Sequence, residues 1–506
     1  MDNSLYSVES IRAIEQSAAS ALGPGVLMQR AGEAAARYAL ELLGDRRDAP
    51  VLLVAGPGNN GGDALETAAN LLDAGVDAQV LHLPGASAPS AETALALQRA
   101  TASGVRFIDE LPAQGQFGVV VDGLFGIGLA RQLSGRHAQV ALGLATFGCP
   151  VLALDLPSGL DADTGAVVGM NDDRVAVAAT HTITFIGNKP GLYTCDGRDH
   201  AGIVQVETLG IEARHFVPPT ARLNGVVLFA PELALARRSQ NTHKGSFGDM
   251  VVLGGAHGMA GAPVLAARGA LFCGAGRVFV AALDPGLTYD SVHPELMIRD
   301  AGSFDFIKRA VVAGPGMGDS PAAAHLLAKV IDGACPLVLD ADALNLLALD
   351  AGLQGRLAQR KAPTVLTPHP LEAARLLGVT AAVVQADRIE AARELSARLS
   401  ATVVLKGSGT VIAENKANGV AINTTGNPAL ATAGTGDVLG GICGALLAQG
   451  WSAYPAALCA VWMHGAAADA LVAEGVGPIG MTAGELPAAV RSILNRLVRG
   501  AAGQVR

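Results

Sequence analysis

The sequence predicts two α/β domains, each a mostly parallel sheet covered by helices, joined in the segment 211–225. Length, patterning and one break predict this. At roughly 150 residues per domain, 506 residues leave room for two large domains. Half the residues are hydrophobic and only 16% are charged, which supplies sizeable cores and excludes a disordered chain. Short apolar runs alternate with Ala-rich helical segments in both halves, the spacing of parallel strands with helical crossovers. Between the halves, IEARHFVPPTARLNG carries two adjacent prolines and mixed polarity, as a linker does. The domains are therefore placed at 1–215 and 225–506.

In the first domain, SVESIRAIEQSAASAL and GVLMQRAGEAAARYALELL read as amphipathic helices. VLLVAG, AQVLHL, GVVVDGLFG, PVLALDLPSG and THTITFIG then read as strands. In the second, MVVLGG, RVFVAAL, AVVAGPG, PLVLDAD, PTVLTPH and TVVLKG are strands that end repeatedly in Gly, Asp or His. Ligands of open parallel sheets sit beyond the carboxyl ends of strands, so these polar ends are the places to look for function.

Composition removes several classes. A net charge of -9 argues against a phosphate-backbone binder, and 4% aromatic residues argue against a stacking platform for single strands. No nucleic-acid partner is expected. Six cysteines without a CxxC pair suggest neither a zinc site nor a disulfide framework, and a reducing cytoplasm is the natural compartment. The stretch Val438 to Ala468 lacks formal charge, but Gly, Gln, Ser, Tyr, Pro and His interrupt it. Two buried helices are expected there rather than a membrane span.

The first glycine loop lies in VLLVAGPGNNGGDALETAANLL, where a strand leads through Gly56-x-Gly58-x-x-Gly61 into a helix. Such a turn lets backbone amides approach a pyrophosphate. The second strand ends VLHLPG without the usual ribose-binding acid, which disfavours an ordinary NAD dehydrogenase. Asp122, Asp155 and Ser158 stand at strand ends. With the amide oxygen of Asn60 they form a hard-oxygen set suited to an alkali or alkaline-earth ion. Taken singly, each reads more simply as a cap or turn residue.

In this order, LMQRAGEAA, GPGNNGGD, DGLFGIGL, LDLPSGLDADTG and THTITFIGNKPGL resemble the NAD(P)H-hydrate epimerase domain, a Rossmann-like fold. The resemblance implies that Asn60, Asp122 and Ser158 hold a potassium ion. It implies that Asn59, Asn60, Gly61, Gly62 and Asp63, with Gly126, Ile127, Gly128, Leu129, Ala130, Arg131 and Gln132, contact the hydrated dinucleotide. Asp155 is implied at the reacting ring. The chain departs from the pattern where DALETAANL lacks a glycine after the aspartate, and where Gly123 replaces a usual alanine.

The second loop runs GNPALATAGTGD into VLGGICGALLAQ. Gly434, Thr435 and Gly436 put unpaired amides at a helix start, an anion hole for a phosphoryl group. Asp437, in the first turn, is placed to take a proton from an attacking hydroxyl. Lys406 closes a strand ahead of Gly407, Ser408, Gly409 and Thr410, a loop suited to a nucleotide phosphate. There is no GxxxxGK[ST] and no GxSxG. Asp340 and Asp342 read as structural.

With these, HKGSFGD, GPGMG, LDADALNLL, TPHPLEAARLLG and LKGSGT resemble the NAD(P)H-hydrate dehydratase domain, a branch of the ribokinase-like kinases. The resemblance implies that Ala262, Met317 and His369 line the hydrated dinucleotide and that Asp437 is the catalytic base. The adenine nucleotide, ADP, is implied at Lys406, Gly407, Ser408, Gly409, Thr410, Asn427, Gly434, Thr435 and Gly436. Sugar kinases carry Asn-x-x-Glu where this chain has His369-Pro-Leu-Glu372, which implies a magnesium ion reached through water by Glu372.

Together the resemblances imply repair of hydrated NAD(P)H. One unit interconverts the R and S hydrates, and the other dehydrates the S form with ADP, giving AMP and phosphate. A homo-oligomer free of membrane is expected. The competing reading is a vitamin-precursor kinase carrying a non-catalytic dinucleotide-binding module.

Overall fold

The computed structural model describes residues 3–112, 117–169, 173–416 and 419–503. It divides into two compact units, Met1–Arg222 and Leu223–Arg506.

The first unit holds β1 (Val51–Ala55), β2 (Ala78–His82), β3 (Arg106–Ile108), β4 (Val119–Gly123), β5 (Val151–Leu154), β6 (His181–Phe185) and β7 (Ile203–Glu207). They form a seven-stranded sheet ordered β3-β2-β1-β4-β5-β6-β7, with every pairing parallel. Every residue of VLLVA in β1 is buried, because helices cover both faces of the sheet. Val51, Leu53 and Ala55 pack with the helices Val26–Leu43 and Asn59–Asp73, whereas Leu52 and Val54 pack with Val140 and Leu144 of the helix Gly135–Leu144. Strand order reverses between β1 and β4, which opens a crevice at their carboxyl ends. The first glycine loop and Asp122 stand at that crevice.

The second unit holds β8 (Asp249–Gly254), β9 (Arg277–Ala282), β10 (Met297–Asp300), β11 (Ala310–Ala313), β12 (Leu337–Leu339), β13 (Thr364–Leu366), β14 (Thr402–Leu405), β15 (Val411–Ala413) and β16 (Val420–Ile422). Their order is β16-β15-β14-β13-β12-β11-β8-β9-β10. The pairings are parallel except at β14-β15 and β15-β16, which are antiparallel. LKGSGT is therefore a hairpin connection at one end of the parallel array. The uncharged stretch forms the helices Thr435–Ala448 and Ala453–Ala473. The second is long and apolar enough to cross a membrane, yet 61% of its apolar window is buried. Its Ala456, Ala457, Cys459 and Met463 join the core that holds Val365 of β13, Val404 of β14 and Ile412 of β15.

Candidate active sites

In the first unit, two glycines bring the loop and the neighbouring strand together. A Cβ at Gly56 would meet the Leu124 carbonyl oxygen at 1.9 Å, and one at Gly61 would meet the Gly56 oxygen at 2.0 Å. The helix Asn59–Asp73 thus starts hard against the end of β4. Asp122 there is fully buried. Its Oδ1 accepts from the Ser158 hydroxyl at 2.7 Å and the Leu124 N–H at 3.1 Å, and its Oδ2 accepts from the Ser158 N–H at 2.8 Å. Burial nevertheless pushes its carboxyl up to about 6. Asn60 is buried, and neither polar atom of its amide has a partner. An orphaned buried amide beside a buried carboxylate and a hydroxyl is a polar cage awaiting a ligand, and its oxygens fit a hard monovalent cation.

Asp155 follows β5 with φ 65, a left-handed conformation that a non-glycine residue adopts only under constraint. Its Oδ1 accepts from the ammonium of Lys189 at 2.5 Å. Its Oδ2 faces the Gly126–Gln132 loop, 3.4 Å from the Ile127 N–H. A Cβ on Gly126 would lie 3.0 Å from that oxygen and 3.4 Å from the Asn60 amide. The structure thus brings Asn60, Gly126, Ile127 and Asp155 together. Gly128, Ala130 and Arg131 are exposed along the same loop, and Gln132 donates to Asp173 at 2.9 Å. Asn59 accepts from the Ser90 hydroxyl at 2.9 Å, and Gly62 packs on Met28. Burial, then the charges of Asp155 and Glu15, push Asp63 well above the usual carboxylate range. Lys189 escaped the sequence reading although its motif was quoted. A lone lysine between Asn and Pro reads as a turn, and only the fold puts it under Asp155.

Two of the positions at which the chain departs from the pattern, Ala64 and Gly123, face each other. A Cβ at Gly123 would come within 2.6 Å of the Ala64 Cβ. Only one of the facing positions has room for a methyl, and this chain carries it on the helix instead of the strand.

In the second unit, Lys406 and Asp340 form a partly buried ion pair at 2.7 Å, with the Asp340 side chain 2% and the Lys406 side chain 21% exposed. A Cβ on Gly436 would be 3.4 Å from the Lys406 ammonium, and one on Gly440 would be 3.6 Å from Asp340 Oδ2. The pair therefore sits beneath the first turn of the helix Thr435–Ala448. Gly434, with φ 89, caps that helix where a Cβ would strike Leu265 at 2.6 Å. Buried His464, held well below its ordinary value at about 4, approaches the Thr435 carbonyl at 3.0 Å; the neutral ring donates there. Asp437 stands beside the pair. Burial, then the negative charge of Asp340, push its carboxyl up to about 7. Asp340 is thus part of the site, whereas Asp342 keeps a structural role, accepting from the Gly318 N–H at 2.8 Å.

The Lys406–Thr410 hairpin is pinned from behind. Buried Arg388 donates to the carbonyls of Leu405 and Lys406, both at 3.1 Å, and Gly407, with φ 140, passes over its guanidinium. Thr410 closes the turn on the Gly407 carbonyl at 3.1 Å. Ser408 and Gly409 lie in the same turn. The remaining candidates make local contacts of their own. His369 caps the helix Pro370–Leu377 through Nδ1, while its N–H donates to Glu372 Oε2 at 2.8 Å. The second Glu372 oxygen lies 3.2 Å from His369 Nε2. Glu372 is thus held against His369 at the start of that helix. Asn427 spends its side chain on the Ala429 N–H and Asp469. Met317 is fully buried, and a Cβ on the preceding Gly316 would lie 3.3 Å from the Ala262 Cβ.

Comparison with known proteins agrees in both halves. A family profile described as NAD(P)H-hydrate dehydratase matches residues 250–490, and one described as YjeF-related protein N-terminus matches residues 24–191. The bifunctional NAD(P)H-hydrate repair enzyme Nnr of Coxiella burnetii is 37% identical over 510 residues, covering 97% of this chain and 99% of its own length. The enzyme of the same name from Escherichia coli is 36% identical over 509 residues, covering 97% and 94%. The ADP-dependent (S)-NAD(P)H-hydrate dehydratase of Neisseria meningitidis is 45% identical over 270 residues, covering 52% of this chain and 90% of its own length.

Proposed function

The chain belongs to the bifunctional NAD(P)H-hydrate repair enzymes, and from that premise we propose how its two sites divide the work. It is an enzyme that epimerises hydrated NAD(P)H and dehydrates the S epimer with ADP. We assign epimerisation to the crevice around Asn60, Gly126 and Asp155, and dehydration to the helix start at Gly434–Asp437.

Hydration leaves a hydroxyl beside the ring nitrogen, and hydroxide is a poor leaving group. In the second site, Asp437 takes the proton of that hydroxyl, whose oxygen attacks the terminal phosphate of ADP. The Gly434, Thr435 and Gly436 amides and the Lys406 ammonium face the charge that builds up. The C–O bond then breaks as the ring nitrogen supplies its electron pair. Phosphate leaves, a ring proton is lost, and NAD(P)H and AMP remain. The observation that carries this reading is the placement of Asp437. It is a carboxylate raised to about 7 at a helix start, beside the Lys406–Asp340 ion pair.

Potassium fits the first site, held by Asn60, Asp122 and Ser158, where it would fix the loop that carries the substrate. Magnesium would accompany the nucleotide phosphates and help neutralise their charge, with Glu372 the residue placed to hold it through water. Six free cysteines, four of them buried, support a reducing compartment.

A mixed-epimer NADHX preparation with ADP, followed by recovery of reduced-nicotinamide absorbance, tests the assignment. Conversion of the whole pool is expected. A stop near half, with spontaneous epimerisation slow, would remove the epimerase from the first unit, and a stable phosphorylated product without recovery would favour a small-molecule kinase.

A further inference from the structure

Lys189 is fully buried, and its ammonium has three hydrogens to place. Three acceptors surround it: Asp155 Oδ1 at 2.5 Å, Thr184 Oγ1 at 2.7 Å and the Phe185 carbonyl at 2.9 Å. Thr184 Oγ1 in turn stands 3.4 Å from Asp155 Oδ1. The ammonium has no hydrogen left for a substrate and no solvent to exchange with. The chain reaches this place through a second constrained residue, for Ile186 at the end of β6 has φ 67 although its β-branched side chain disfavours it. Gly187 then passes so close to Tyr6 that a Cβ would lie 2.7 Å from the ring. Two left-handed residues at the ends of adjacent strands thus converge on one ion pair.

We propose that Lys189 is the positioning residue of the epimerisation centre. It clamps Asp155 Oδ1 from below, so that Oδ2 alone meets the hydrated ring above the Gly126–Gln132 loop. The proton exchanged with the substrate passes at Oδ2, and the lysine acts only through the aspartate. The inference rests on the assignment of Asp155 to the reacting ring.

Chiral separation of R and S NADHX after incubation without nucleotide reads epimerisation alone. In the full chain, Lys189→Met should lower kcat on the order of a hundredfold, the scale of a misplaced catalytic group, with KM changed less than threefold. Asp155→Asn should lose at least as much. The Asp155→Asn/Lys189→Met double variant should be no slower than Asp155→Asn, because the lysine has nothing left to position. If Lys189→Met fails to fold by circular dichroism, Lys189→Gln takes its place in the cycle. Losses that multiply in the double variant overturn the inference, as does a folded Lys189 variant within threefold of the parent kcat. A wild-type rate for Asp155→Asn instead removes the assignment of Asp155, and the inference with it.

Discussion

Both sites set an aspartate at a strand end against a lysine, but they spend the cation differently. In the first unit Lys189 binds Asp155, the carboxylate that faces the substrate loop. In the second unit Lys406 binds Asp340, and Asp437 is raised to about 7 by burial and by that same Asp340. The difference follows the chemistry. A carboxylate that must take a proton from an alcohol works best with its pKa near the operating pH, so it is kept out of an ion pair. One whose task depends on which oxygen faces the ring gains from being clamped.

The comparison breaks most sharply at Asp437. Asp437→Asn should lower ADP-dependent NADH recovery from S NADHX roughly 10³-fold, within the range of general-base effects, and leave interconversion of the epimers intact. Recovery within tenfold of the parent would move the base elsewhere.

Asp340→Asn sharpens the contrast from the other side. It removes the negative charge that helps hold Asp437 up, and it frees Lys406 to face Asp437. Both changes lower the pKa of Asp437, so the acid limb of the kcat profile, expected near pH 7, should move to lower pH by about one unit. KM for ADP should rise on the order of tenfold as Lys406 loses its anchor. An unmoved acid limb would sever Asp340 from the base.

These residues also mark where sequence reasoning reached and where it stopped. The alternation of apolar runs gave both sheets, because buried parallel strands have to be apolar on both faces. It missed the antiparallel return of β15, since VVLKGSGTVIA has the same local pattern whether it leads to a helix or a hairpin. Asn60, Asp155 and Asp437 were legible because each is tied to a glycine loop or a strand end. Lys189 and Asp340 were not, because each is defined by a partner 34 or 66 residues away. No local spacing encodes those pairs. His369 and Asn427, which the sequence made candidates, also cap the helical turns they open, a local role that sequence can suggest as readily as a ligand contact.

The exchange of Ala64 and Gly123 bears on how tightly the first site is built. Gly123→Ala places a methyl 2.6 Å from the Ala64 Cβ and 3.0 Å from the Asn60 carbonyl oxygen. It should cost about 1–3 kcal/mol in chemical unfolding of the full chain and slow epimerisation by shifting Asn60, with dehydration unchanged. Adding Ala64→Gly should recover most of that loss. A double variant as unstable as the single would show that the two positions do not compensate.

The smallest expected effect separates the sites by ion dependence. Asp122 titrates at about 6 in the folded chain against an ordinary 3.8, because burial disfavours its charge. Without a cation the folded form holds that proton more tightly than the unfolded form does. The resulting stability is fully present below about pH 4 and is lost as pH rises through about 6. Potassium bound at the ionised carboxylate would restore what burial removed. Replacing tetramethylammonium by potassium should therefore raise the first unit's unfolding free energy on the order of 1 kcal/mol at pH 8, with potassium at several times its Kd. The increment should fade below pH 5. Asp122→Asn should remove the pH dependence, and Asp437→Asn should leave it in place. An increment equal at pH 5 and pH 8 would detach the ion from Asp122, and with it the view that the first site needs a cation in addition to its lysine.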